Sequence, residues 1–144
     1  MASLNDIHEA IAEVVGGVDG IRGFSYPPQG ASPPLAWPEL DDWEPSAMGR
    51  AGWKEYRFDL YVCTALGARP QDGYKSLVEY ADSSSTKSIE LALWDAVDQP
   101  AGTFNDVANV KLSVAGFRKI GRIDVDGVEM YGGVFTLNVA TKGA

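Results

Sequence analysis

Met48-Gly-Arg-Ala-Gly-Trp-Lys-Glu-Tyr-Arg-Phe-Asp-Leu-Tyr-Val-Cys63 alternates in character from Trp53 onward. Trp53, Tyr56, Phe58, Leu60 and Val62 are large and apolar, while Lys54, Arg57 and Asp59 are polar and fall among them. Side chains of a strand point to opposite faces with period two, so this pattern predicts a strand with one face in a core and the other in water. The glycines Gly49 and Gly52 ahead of it predict a loop leading into the strand.

N-terminal to this strand, Leu35-Ala-Trp37 predicts a short strand that Pro38 ends or holds at a sheet edge. Glu39, Asp41, Asp42 and Glu44 then predict an acidic loop around Trp43, continuing to Gly52. Prolines at 27, 28, 33 and 34 predict a second loop, because proline cannot donate to a ladder. Ile21–Tyr26 predicts a first strand, with Gly23 its weak point. Leu4, Ile7, Ile11, Val14 and Val15 recur at helical spacing after a capping Ser3, and Gly16-Gly17 ends that helix.

C-terminal to the strand, Pro70 predicts a helix start, with Tyr74, Leu77, Val78 and Ala81 as its apolar side. Ser83-Ser-Ser-Thr86 interrupts the helix, and Ser88 caps a second piece with Ile89, Leu93, Ala96 and Val97 as its stripe and Leu91 and Trp94 beside it. The span from Val107 to Arg122 predicts one or two strands with a bulge or bend at Gly116. Asp126-Gly127 predicts a hairpin turn between Ile123–Val125 and Val128–Tyr131. In the last strand Val134, Thr136, Asn138 and Ala140 face one way and Phe135, Leu137 and Val139 the other. The fold class is therefore α+β: a mixed, mainly antiparallel sheet of about four to six strands, with an N-terminal helix and a central interrupted helix packed on it. No linker or repeat divides residues 1–144, so one domain is expected.

The 144 residues are 45% hydrophobic and 22% charged, the composition of an ordinary globular chain that builds a core without disulfides or metal. A formal net charge of −8 argues against sequence-independent nucleic-acid binding, which needs clustered Lys and Arg. With Cys63 as the one cysteine, no internal disulfide forms and a cytosolic folding compartment is expected. The N-terminal residues have no basic region followed by an apolar one, so no signal peptide is expected. No apolar run approaches the roughly 18 residues of a membrane span.

Catalytic signals are weak. His8 reads as a surface residue and Cys63 as a small hydrophobe in a strand, so a Cys–His pair and a zinc site are both disfavoured. Asp124-Val-Asp-Gly-Val-Glu129 lacks the spacing of a calcium loop and fits a hairpin turn better. The acids at 39–44 fit a solvated loop better than a carboxylate pair or cation site. No phosphate-binding glycine loop is present. Neither cofactor nor metal is expected. Trp37, Trp53 and Trp94 read as core. Trp43, with Met48 and Arg50 nearby, is a candidate for protein contact, since Trp and Arg are enriched at interface hot spots.

Six segments form a series along the chain: Leu4-Asn-Asp-Ile-His-Glu-Ala-Ile11, Gly20-Ile-Arg-Gly-Phe-Ser-Tyr26, Pro33-Pro34 entering the second strand, Met48-Gly-Arg50 before Tyr56–Val62, Ser88-Ile89 opening the second helical piece, and Tyr131-Gly-Gly-Val-Phe-Thr-Leu-Asn-Val139. Together they resemble the tail terminator proteins of long, non-contractile-tailed bacteriophages. The resemblance departs at Pro38, where such proteins usually have a longer apolar strand.

The resemblance implies a structural virion protein at the neck, assembled in the host cytoplasm, with no enzymatic activity. It implies a homo-oligomeric ring, typically of six copies, that caps the tail tube, ends its polymerisation and offers a joining surface to a head-completion or connector protein. DNA would be a transient cargo through the lumen, and no membrane is involved. Protein contact is then expected at Pro27, Pro28, Trp43, Met48, Arg50 and Tyr131, from the Pro27–Pro34 and Asp41–Gly52 loops and the start of the last strand. The alternatives are another neck component, such as a head-completion or connector ring protein, and a small α/β ligand-binding or hydrolase domain using residues 39–44.

Overall fold

The alternating stretch forms β3 (Trp53–Thr64), the middle strand of a five-stranded sheet. A computed structural model describes residues 4–18, 20–29, 33–45, 53–66, 70–82, 84, 87–98, 110–125 and 127–142. The other elements are α1 (Leu4–Gly16), β1 (Arg22–Gly23), β2 (Leu35–Pro45), α2 (Pro70–Ala81), α3 (Ile89–Asp98), β4 (Val110–Val125) and β5 (Val128–Lys142). The sheet order is β1-β2-β3-β5-β4; β1 pairs parallel with β2 and every other pairing is antiparallel. The architecture is α+β with an open, mostly antiparallel sheet.

Phe58, Leu60 and Val62 of β3 are fully buried on one face, aligned with Leu137, Phe135 and Gly133 of β5. Ile7, Ala10, Ile11 and Val15 of α1, Leu77 and Tyr80 of α2, and Ile89 and Leu93 of α3 join them in the main core. The helices therefore cover one face of the sheet. Burying each large aliphatic or aromatic side chain contributes about 1.5–3 kcal/mol, and that face supplies most of the hydrophobic stabilisation.

Local signals explain the helix ends. α1 closes with Gly17 N–H to the Val14 carbonyl and Val18 N–H to the Val15 carbonyl, both at 3.1 Å. The Ser88 hydroxyl caps α3 by accepting from Leu91 N–H at 3.2 Å. After α2, the Asp82 carboxylate accepts from both Ser84 N–H at 2.9 Å and the Ser84 hydroxyl at 2.7 Å. These bonds hold its pKa below the usual range, the backbone bond contributing most, and offer the chain an alternative to continuing the helix.

β2 corrects the sequence reading. It runs from Leu35 to Pro45, through both Pro38 and the acidic residues, instead of stopping at Trp37. Beyond Ala36 the described residues pair it on one side only, with β3, so Pro38 sits in an edge segment where a missing N–H is tolerated. A register shift between Leu40 and Asp42 makes Asp41 the extra residue of a bulge. Residues 41–45 are thus strand, whereas the loop expected at 46–52, with Met48 and Arg50, lies outside the described residues.

β1 is shorter than expected, at two residues against Ile21–Tyr26. It pairs only with Leu35 and Ala36, and Gly23 lies directly beneath α1. β4 is one strand with register shifts at Val114/Gly116 and Lys119/Gly121, which places a bulge where Gly116 suggested one. Val125 pairs with Val128 across the expected turn, where Gly127 has a φ of +83°, favourable to glycine.

Candidate functional site: the second face of the sheet

Cross-strand register builds the second face of the sheet in rows. One row is Leu35, Cys63 and Gly132; the next is Trp37, Tyr61, Val134 and Arg118; a third is Glu39, Asp59, Thr136 and Gly116. Arg57, Asn138 and Ser113 follow.

The first rows are apolar. Leu35, Trp37, Cys63 and Met130 form a second buried cluster, with Phe24, Tyr61, Ile123 and Val125 packed around it. Trp37 and Tyr61 stack at 5.1 Å with 12° between their planes. Trp37 Nε1 is buried and has no hydrogen-bond partner among the described residues. Burial pushes the Cys63 thiol up to about 12, which keeps it protonated and poorly nucleophilic.

The later rows are charged. Glu39 and Asp59 stand directly opposite each other, a like-charge pair. Burial pushes the Asp59 carboxyl above its usual range, and the Asp41 charge adds to this; Arg118 and then Arg57 pull it back. Tyr61 is also raised, by burial first, then by the charges of Glu39 and Asp59 and the hydrogen bond its hydroxyl donates to Glu39, with Arg118 opposing. A cleft of about 310 Å³ lies at the far end, lined by Glu55, Arg57, Ser113, Asn138 and their neighbours. Among the described residues no group of three His, Cys, Asp or Glu side chains is placed to hold a metal ion.

The described residues expected to make contacts fall in separate elements, and Met48 and Arg50 lie outside the described residues. Pro27 is exposed and Pro28 buried. Trp43 pairs in register with Tyr56, inside β2 rather than in a loop. Tyr131 is half-buried at the start of β5; its ring meets Tyr74 edge-on at 6.0 Å, and its carbonyl accepts from the Thr64 hydroxyl at 3.2 Å. The same hydroxyl is 3.0 Å from the Gly73 carbonyl, so Tyr131 sits where β3, β5 and α2 are tied together.

His8 and Trp94 differ from expectation. His8 is buried, not on the surface: its Nδ1–H donates to the Leu4 carbonyl at 2.7 Å, and its ring stacks on Tyr26 at 5.2 Å and meets Phe58 edge-on at 5.1 Å. Tyr26 donates in turn to the Asn5 side-chain carbonyl, and this lid over His8 comes from a distant segment that helical spacing could not reveal. Phe58 belongs to the main core and Cys63 to the second cluster, so His8 and Cys63 lie on opposite sides of the sheet and form no pair. Trp94, expected in the core, is 64% exposed, and Leu91 is 45% exposed. Ile89 and Leu93 of the expected stripe, one helical turn apart, supply the buried side of α3.

Among the described residues no helix is long and apolar enough to cross a membrane. No protein-family model matches the chain. The curated proteins yield no match either.

Proposed function

We propose that the chain is a structural virion protein of a long, non-contractile bacteriophage tail. It forms a ring, six copies by the resemblance, that caps the tail tube and ends its growth. The opposite side of the ring joins the head-completion protein, and DNA passes through the lumen. The observation that carries this reading is the apolar surface that the helical layer leaves exposed among the described residues. The described helices pack on one face of the sheet, and Tyr74, Val78, Leu91 and Trp94 expose large apolar side chains on that helical layer. Such surface fits protein contact better than small-molecule chemistry. The order of elements also follows the order of segments that carries the resemblance.

Electron microscopy of tail tubes mixed with the purified chain tests the reading. A ring at one end of each tube is the expected image; tubes left bare at saturating protein would refute it. A second reading, a small α/β ligand-binding or hydrolase domain built on residues 39–44, draws on the raised pKa of Asp59 beside Asp41 and Glu39. It predicts a one-chain mass and a ligand or substrate whose binding or turnover is lost in Asp59→Asn.

A further inference from the structure

The acidic segment of β2 and the end strand β4 carry opposite charge. β2 contains Glu39, Asp41, Asp42 and Glu44 and no basic residue. β4 contains Lys111, Arg118, Lys119 and Arg122 against a single acid, Asp124. β4 ends the sheet, with no strand beyond it among the described residues. Residues 115–120 of β4 are exposed without a break, including Phe117 at 38% and Ile120 at 41%. At the other end, β1 covers only Leu35 and Ala36 of β2, so the acidic part of that strand has no described neighbour on its outer side.

We propose that β4 of one subunit pairs along its length with the acidic segment of β2 in the next copy of the chain, joining copies head to tail. The inference rests on the ring reading above and names the contact that would build it. Strand direction fits. β2 is antiparallel to β3, β3 to β5, and β5 to β4, so β2 and β4 run in opposite directions. A second sheet added in the same orientation therefore meets β4 as an antiparallel neighbour. The contact is heterologous, using different surfaces on the two copies, which is the kind that closes a ring when the rotation per subunit permits. Pro38 and Pro45 bracket the acidic residues and withhold backbone donors at both ends of the segment. They blunt β2 against arbitrary edge pairing, and the charges select the partner edge.

Reversal and exchange of the charges test this contact. Arg118→Glu, Lys119→Glu and Arg122→Glu together make both edges acidic. Asp41→Lys, Asp42→Lys and Glu44→Lys together make both edges basic. The unmodified chain is expected to form oligomers at high concentration, measured by native mass and sedimentation, and to dissociate as salt rises. Each triple variant alone is expected to associate about tenfold or more weakly. An equimolar mixture of the two restores oligomers of alternating composition.

The proposal is overturned if both variants associate like the parent, if the folded variants fail to assemble when mixed, or if the parent stays monomeric at millimolar concentration. Circular dichroism checks folding. Should a triple variant not fold, the single variant Arg122→Gln and the salt titration of the parent decide: association indifferent to both overturns the proposal. Variants that still cap tubes with intact rings would remove the edge contact and leave the ring reading standing. Failure of the unmodified chain to cap tubes would remove the ring reading itself.

Discussion

Replacing Gly23 with alanine adds one methyl group where α1 crosses β1. A Cβ on Gly23 would lie 2.1 Å from the Ala12 carbonyl oxygen and 2.9 Å from the Gly16 nitrogen. Carbon-to-oxygen contacts normally begin at about 3.3 Å, so α1 would have to retreat by about 1 Å. Both obstructing atoms are backbone, and no rotamer change relieves them. Retreat on that scale forfeits a quarter to a half of the dispersion attraction at the affected contacts, and Ile7, Ile11 and Val15, buried to 1% exposure or less, hold α1 in place. The loss of unfolded-state entropy that usually favours Gly→Ala is about 0.4–1 kcal/mol and is outweighed. We expect Gly23→Ala to destabilise by about 3 kcal/mol and to lower Tm by about 10 °C. Urea and thermal unfolding followed by circular dichroism measure this, with the exposed neighbour Arg22→Ala as a control that stays within about 0.5 kcal/mol. A Gly23→Ala chain with unchanged Tm would show that α1 does not rest on β1 at this distance.

Three further outcomes are expected. Ser88→Ala removes the α3 cap and costs about 1 kcal/mol in urea unfolding. Cys63, whose thiol is raised from 9.0 to about 12, resists alkylation at pH 8 until the chain unfolds; because the folded state holds that proton more tightly, stability falls as pH climbs from about 9 towards 12. Rapid labelling of the folded chain would contradict the burial. Asp59 is raised by burial and Asp41, so its contribution to stability is fully present below the unfolded value of 3.8 and is lost as pH rises through the higher folded value. Asp59→Asn is therefore expected to raise Tm at pH 7 and to flatten the acid side of the stability profile; a lowered Tm at pH 7 would mean that its attraction to Arg118 and Arg57 dominates instead.

β3 and β5 were legible in the sequence because strict alternation survives when one sheet face is core and the other is not. β2 was obscured by its bulge. Leu40 aligns with Phe58 and Trp43 with Tyr56, so three steps along β2 match two along β3, and the period-two signal disappears at Asp41. Pro38 then looked like a stop, when an edge strand tolerates it. On α2 the buried series is Gly73, Leu77 and Tyr80, while Tyr74 and Val78 are exposed. Gly73 was invisible to hydrophobic patterning, yet it sits against the Ala65 carbonyl and the Tyr131 Cβ and sets which side of the helix faces in. The charged face around Asp59 was half legible. Arg57 and Asp59 alternate within one strand, but their meeting with Glu39, Asp41 and Arg118 depends on strand order, which local pattern does not carry.

We propose that this protein acts by fitting against copies of itself and against a tail tube. Tail lengths measured by electron microscopy in particles made with and without the chain test it most directly. The account predicts uniform tails in its presence and overlong, variable tubes without it; tubes of one uniform length in its absence would contradict it.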